Sequence, residues 1–180
     1  VNEGSIQSGP GGYIALIGPR IENTGTLLAN NASVLMGAGE RVTLSRQQGG
    51  LIQMSVDAGT LDAQIKVGGV IQTNDGRAVI TARAAGEISK SVINMDGVIE
   101  AKGIVGQGGR IILDSGLNGS TNITGTLNTS SEAADGGVVH LLGEKVGLFG
   151  NALVNASGHT SGGEVLVGGD YMGNGDVPNS

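Results

Sequence analysis

A chain that cleaves a sugar bond needs two carboxylates facing one substrate about 5 to 9.5 Å apart, so the acidic residues are weighed first. Asp114 and Glu164 fall near the end and the start of short alternating segments. Glu100 lies in another such segment, at the place that Gln7, Gln72, Asn128 and Asn155 take elsewhere. Charged side chains fill such positions simply because they meet water, and no paired acidic stripe results. His140 occupies an outward position of its segment and His159 lies in the loop "SGHTSGG", neither with a second histidine or an acid at metal-ligand spacing. Serine is frequent, but no Gly-x-Ser-x-Gly turn presents one as a nucleophile. The stretch "GGDYMGNGD" (168–176) has the glycine and aspartate of a calcium-binding repeat. Such repeats complete their oxygen cage in tandem, and this one stands alone, so it reads as a polar loop. There is no cysteine, hence no disulfide, thiolate ligand or thiol nucleophile. These residues predict a protein that is not an enzyme and holds no metal or cofactor.

Charge and hydropathy narrow the partners. The net charge is −6 and the ten Lys and Arg residues form no block, which speaks against nucleic acid. The apolar runs are a few residues long, against the roughly 20 that a bilayer-spanning helix requires, so a membrane-spanning chain is not expected. "VNEGSIQSG" lacks the basic and apolar regions of a signal peptide, and the chain reads as an internal piece of something longer. Of 180 residues 38% are hydrophobic, enough for a packed core, yet the only aromatics are Tyr13, Phe149 and Tyr171. The interior must then consist of thin, regular layers of Val, Ile, Leu and Ala. Glycine occurs 35 times, as in a chain that turns often and always in the same way.

The elements that would position any surface residue follow from repetition. A phrase of the form Gly, x, aliphatic, polar, small recurs as "GSIQS", "GTLLA", "GVIQT", "GVIEA", "GTLNT" and "ALVNA", starting at residues 4, 25, 69, 97, 125 and 152. The unit is 21 to 28 residues long, with one interval of 44. Its aliphatic positions are Ile6, Leu27, Ile71, Ile99, Leu127 and Val154; its small ones are Ser8, Ala29, Thr73, Ala101, Thr129 and Ala156. A second phrase alternates with the period of a strand: "YIAL", "SVLM", "RAVI", "RIIL", "VVHL" and "EVLV". Its inward positions are Ile14, Val34, Ala78, Ile111, Val139 and Val165, then Leu16, Met36, Ile80, Leu113, Leu141 and Val167. A weaker third segment offers Ile21, Val42, Ile93, Ile123 and Val146 as inward residues.

One unit cannot fold alone. Four or five buried aliphatics at about 1.5 to 3 kcal/mol each do not offset the ordering of over twenty residues at about 1 to 2 kcal/mol apiece. Stacked units can, and they predict an all-β parallel β-helix over residues 1–180, three short strands to a coil. The long interval predicts a hairpin that leaves the coil between residues 45 and 68, and "RAAGEISKS" (83–91) is assigned to loop. The outward third positions of the second strand, Leu35, Val79, Ile112, His140 and Leu166 after Ala15, form an apolar stripe that calls for a cover or a partner. The hairpin, with Leu51, Ile52, Met54 and Val56, is expected to lie over Val79 and Ile112. The loops between first and second strands lengthen to "KGIVGQ", "SSEAAD" and "SGHTS" and should stack along one edge.

The phrases "GGYIALIGPRIENTGTLLA" (11–29), "GAGERVTLS" (37–45) and "GGDYMGNGDVPN" (168–179) carry a resemblance that extends over essentially the whole chain. In them the sequence resembles the filamentous haemagglutinin family of two-partner secretion exoproteins. The resemblance implies a right-handed β-helix and a segment of a large secreted surface adhesin with a structural, adhesive or biofilm role. It also implies export through a cognate outer-membrane β-barrel transporter, display at a Gram-negative cell surface, and a host receptor or surface polysaccharide as partner. It carries over no catalytic residue. The family's early Asn-Pro signature is missing, since Pro10, Pro19 and Pro178 follow Gly, Gly and Val. The chain is thus expected to start inside or just after the secretion domain. A polysaccharide-active β-helix enzyme and the stalk of a contact-dependent toxin are the alternatives.

Overall fold

A computed structural model describes residues 1–47, 52–86, 90–106 and 108–168. The described residues wind through six successive coils. The first coil comprises β1 (Ser5–Gln7), β2 (Tyr13–Gly18) and β3 (Arg20–Asn23). The second begins with β4 (Thr26–Leu28) and β5 (Ser33–Ala38), leaves as the pair β6 (Arg41–Arg46) and β7 (Ile52–Ala58), and closes with β8 (Gln64–Val67). The third has β9 (Val70–Gln72), β10 (Arg77–Ala82) and β11 (Val92–Met95), and the fourth β12 (Val98–Glu100), β13 (Arg110–Asp114) and β14 (Ser120–Ile123). The fifth has β15 (Thr126–Asn128), β16 (Val138–Leu142) and β17 (Lys145–Leu148), and the sixth β18 (Leu153–Asn155) and β19 (Glu164–Val167). Equivalent strands pair in parallel into three sheets, β1-β4-β9-β12-β15-β18, β2-β5-β10-β13-β16-β19 and β3-β8-β11-β14-β17. The protein is an all-β parallel β-helix with one antiparallel hairpin outside it. Among the described residues no helix is long and apolar enough to cross a membrane.

Register follows the repeat. In the first sheet Ile6, Leu27, Ile71, Ile99, Leu127 and Val154 lie one above the next. In the second the column is Ile14, Val34, Ala78, Ile111, Val139 and Val165. Leu27, Ile71, Ile99, Leu127, Val34, Ile111 and Val139 are fully buried, and Ile14 nearly so. The ends of both columns depart from the expected interior. Ile6 is 36% and Val165 48% exposed, and Val154 is half-buried. Each belongs to the first or last described coil, where an aliphatic rests on a neighbour on one side only.

Why the phrase begins with glycine is visible at Gly97, where a Cβ would sit 2.1 Å from the Gly69 carbonyl oxygen of the coil before. That oxygen accepts from Val98 N at 3.0 Å, so backbones meet at the corner with no room for a side chain. The third sheet differs from its expected composition at two places. Val42 is not in it; Ile65 on β8 takes that place, fully buried between Ile21 and Ile93. Ile123 aligns with Met95 rather than with Ile93, and the residue beside Ile93 is Thr121. Thr121 is buried and its hydroxyl donates to the Leu142 carbonyl at 2.9 Å, which compensates for the missing aliphatic. The excursion therefore spans Arg41 to Ala58, and residues 64–67 belong to the coil. Of "RAAGEISKS", Ala84 bridges to Thr60 and residues 87–89 lie outside the described residues.

Candidate functional site

The outward column of the second sheet is Ala15, Leu35, Val79, Ile112, His140 and Leu166, in register from β2 to β19. The hairpin packs over its lower part. Val42 and Leu44 on β6, with Ile52, Met54 and Val56 on β7, are half-buried, while Thr43, Ser45, Gln53, Ser55 and Asp57 between them are exposed. β7 touches β5 and, less extensively, β10. Space for it comes from two glycines of β5 and its exit. A Cβ on Gly37 would meet Met54 Sδ at 2.9 Å, and one on Gly39 would meet Val56 Cγ1 at 2.3 Å. The hairpin closes where Glu40 N donates to the Ala58 carbonyl at 2.8 Å.

Leu35, expected as part of an interaction surface, is consequently 1% exposed and is covered by the chain itself. Val79, Ile112, His140 and Leu166 remain half-buried. Leu51, the other anchor expected for the cover, lies outside the described residues. The open part of the stripe thus runs from the third coil to the sixth.

The acidic residues weighed for catalysis sit apart. Asp114 is clamped by Arg83, whose Nη1 donates to Asp114 Oδ1 at 2.9 Å while Nη2 reaches Oδ2, and Gly116 N donates to the same carboxylate at 3.0 Å. Glu164 lies against His140, with Nε2 and Oε1 2.5 Å apart. Glu100, in the first sheet, pairs with Lys102 at 2.8 Å. Asp114 and Glu164 share the second sheet, but Glu164 aligns through Val138 with Arg110, four residues before Asp114. At about 3.3 Å per residue that is about 13 Å along the strands alone, beyond the range a glycosidase pair spans. His159 is exposed, and its amide donates to the Ala134 carbonyl. Among the described residues no group of three His, Asp or Glu side chains is placed to hold a metal ion. Of "GGDYMGNGD" only Gly168 lies within the described residues.

The lengthened loops form an edge of their own. Gly103 bridges to Ser131, and Ser131 to Gly158. Ser131 Oγ donates to the Gly106 carbonyl at 2.8 Å, and Gly103 N to the Ser130 carbonyl at 2.9 Å. Ile104 and Val105 stand exposed at its tip.

A feature the periodicity passed over lies at the start of the second sheet. Tyr13, Ser33, Arg77, Arg110, Val138 and Glu164 form one column, outward like the stripe beside it. It flanks a groove of about 640 Å³ that crosses the coils. Burial, and then the charge of Arg110, hold the Arg77 guanidinium below its ordinary pKa. The sequence signal was two arginines at the same place in consecutive phrases, "RAVI" and "RIIL". A reading for aliphatic alternation gives that place no weight.

No protein-family model matches the chain, and no curated protein matches it.

Proposed function

We propose that this chain is a non-enzymatic β-helical segment of a large secreted adhesin of the filamentous haemagglutinin type. It is exported through an outer-membrane β-barrel transporter and displayed at a Gram-negative cell surface, where it carries binding faces for a host receptor or a surface polysaccharide. The observation that carries the reading is where the resembling phrases fall. "ALIGPRIEN" builds the corner from β2 into β3, and "GERVTL" enters and forms the first strand of the hairpin over β5. The hairpin is where the chain departs from a plain repeat, so the likeness there extends beyond generic coil composition. The continuous aliphatic ladders of the first two sheets suit a rigid stalk, since every coil rests on the next. The dispersal of Asp114, Glu164 and Glu100 favours a binding role over hydrolysis.

The test is co-expression of the gene product with a two-partner outer-membrane transporter, followed by surface detection and a cell-adhesion assay. Transporter-dependent surface display and adhesion support the reading. Release of reducing ends from a polysaccharide, lost on substitution of one or two clustered acids, would replace it with the enzyme alternative.

A further inference from the structure

Arg77 and Arg110 are directly opposed on adjacent strands, and like charges so placed repel unless something offsets them. Arg20, Lys66, Arg83 and Lys102 each have a carboxylate within salt-bridge distance. Among the described residues Arg77 and Arg110 have none, nor do Arg41, Arg46, Lys90 and Lys145, but only Arg77 and Arg110 are opposed in register on adjacent strands. Arg77 is anchored, its Nε donating to Ser33 Oγ at 3.2 Å and its Nη2 to the Ile52 carbonyl under the hairpin. Arg110 is exposed, and among the described residues nothing ties its guanidinium. The acid that shares the groove, Asp75, already accepts at Oδ1 from the amides of Ile104 at 2.8 Å and Val105 at 3.3 Å. The neighbouring main-chain donors are also used, Gly76 N by the Thr73 carbonyl and Gly109 N by the Ala101 carbonyl. In a chain of net charge −6, the free guanidinium of Arg110 and the uncommitted Nη1 of Arg77 therefore stand side by side without a carboxylate partner among the described residues, ready for an outside anion.

The groove is lined from Gly12 on the first coil through Ser33, Arg77 and Arg110 to Val138 on the fifth. Four steps between coils at about 4.8 Å each make it about 19 Å long, a trough parallel to the axis rather than a pit for one small ion. An extended sugar polymer fits such a trough, and if each residue carries a carboxylate, successive charges can meet successive coils. Guanidinium takes a planar carboxylate through two parallel N–H donors.

We propose that this groove binds an acidic polysaccharide built of uronate residues, with Arg77 and Arg110 taking carboxylates of the chain. The proposal rests on the adhesin reading and names a ligand class for it. The full chain is titrated by calorimetry at low salt with galacturonate oligomers, with neutral oligomers of the same length, and with sulfated ones. Saturable binding of the uronate oligomer is expected, weakened about ten-fold or more in Arg110→Gln, the loss of one charge-assisted pair. Arg110→Lys should fall between, because it keeps the charge and loses the fork, and both variants should melt like the parent. Absence of uronate binding, equal binding of the neutral oligomer, tighter binding of the sulfated one, or an Arg110→Gln variant of undiminished affinity would each overturn the proposal. Cell adhesion measured on the same variants separates the two readings. Adhesion without uronate binding sinks the site alone, while uronate binding without adhesion upholds the site and sinks the adhesin reading.

Discussion

Leu127 is fully buried in its column between Ile99 and Val154, while Asn128 beside it faces outward and is half-buried. Leu127→Asp sets a carboxylate inside an aliphatic ladder with no partner, and should cost more than about 3 kcal/mol. Asn128→Ala loses the hydrogen bond that Asn128 Oδ1 accepts from Ser130 N at 3.0 Å and should cost only about 0.5 to 1.5 kcal/mol, and chemical denaturation of both variants measures the contrast. Asp57 gives a second prediction of this kind. Hydrogen bonds from Thr43 and then Ser55 hold its carboxyl below the ordinary aspartate value. Its folded pKa is thus the lower one, so its contribution to the hairpin is in place above the unfolded value of about 3.9. That contribution is lost as the pH falls through the folded value. Hydrogen-exchange protection across β6 and β7 should weaken in that acid window, and Asp57→Asn should remove this part of the pH dependence.

At the scale of strands, the hairpin is a cover whose removal exposes Leu35. Deleting residues 41–58 joins Glu40 to Gly59, and Glu40 N already contacts Ala58. The shortened chain should fold, bind an apolar dye and self-associate, as light scattering would show. Glycine corners make a separate prediction. Gly97→Ala forces a Cβ onto backbone and should cost about 1 to 3 kcal/mol, whereas Gly162, with nothing within 4 Å, should accept alanine within about 0.5 kcal/mol. The register of the first two sheets was legible in the sequence, because their inward positions repeat as Ile, Leu, Val, Ala or Met at fixed offsets, but the exposure of Ile6, Val154 and Val165 at the ends was not. The register of the third sheet was not legible. Val42 and Ile65 both sit in alternating segments, and which one returns to the coil depends on Gly37 and Gly39 admitting the hairpin, a contact between distant segments that no local pattern encodes. Thr121 was missed for a related reason, since its place in the interior depends on a carbonyl from β16. The acidic candidates were legible as surface positions, but the partners that occupy them, Arg83 for Asp114 and His140 for Glu164, come from other coils.

Across the whole molecule, stability is shared between neighbouring coils, and the axis sets the direction in which surfaces extend. The open part of the stripe, the arginine groove and the stacked loops all run parallel to it, so each presents a line of sites to a partner. The hairpin also bears on how the coils assemble. Between the first and second coils the third sheet pairs residues 44 apart, as at Glu22 and Lys66, against 28 higher up, as at Asn94 and Asn122. Closing the longer loop costs only about 0.4 kcal/mol more on logarithmic scaling. The second coil can therefore carry additional chain at little thermodynamic expense, provided the added residues begin and end where Glu40 meets Ala58. That junction is a natural graft point, at which a foreign loop could be displayed on the stalk without disturbing the winding above or below it.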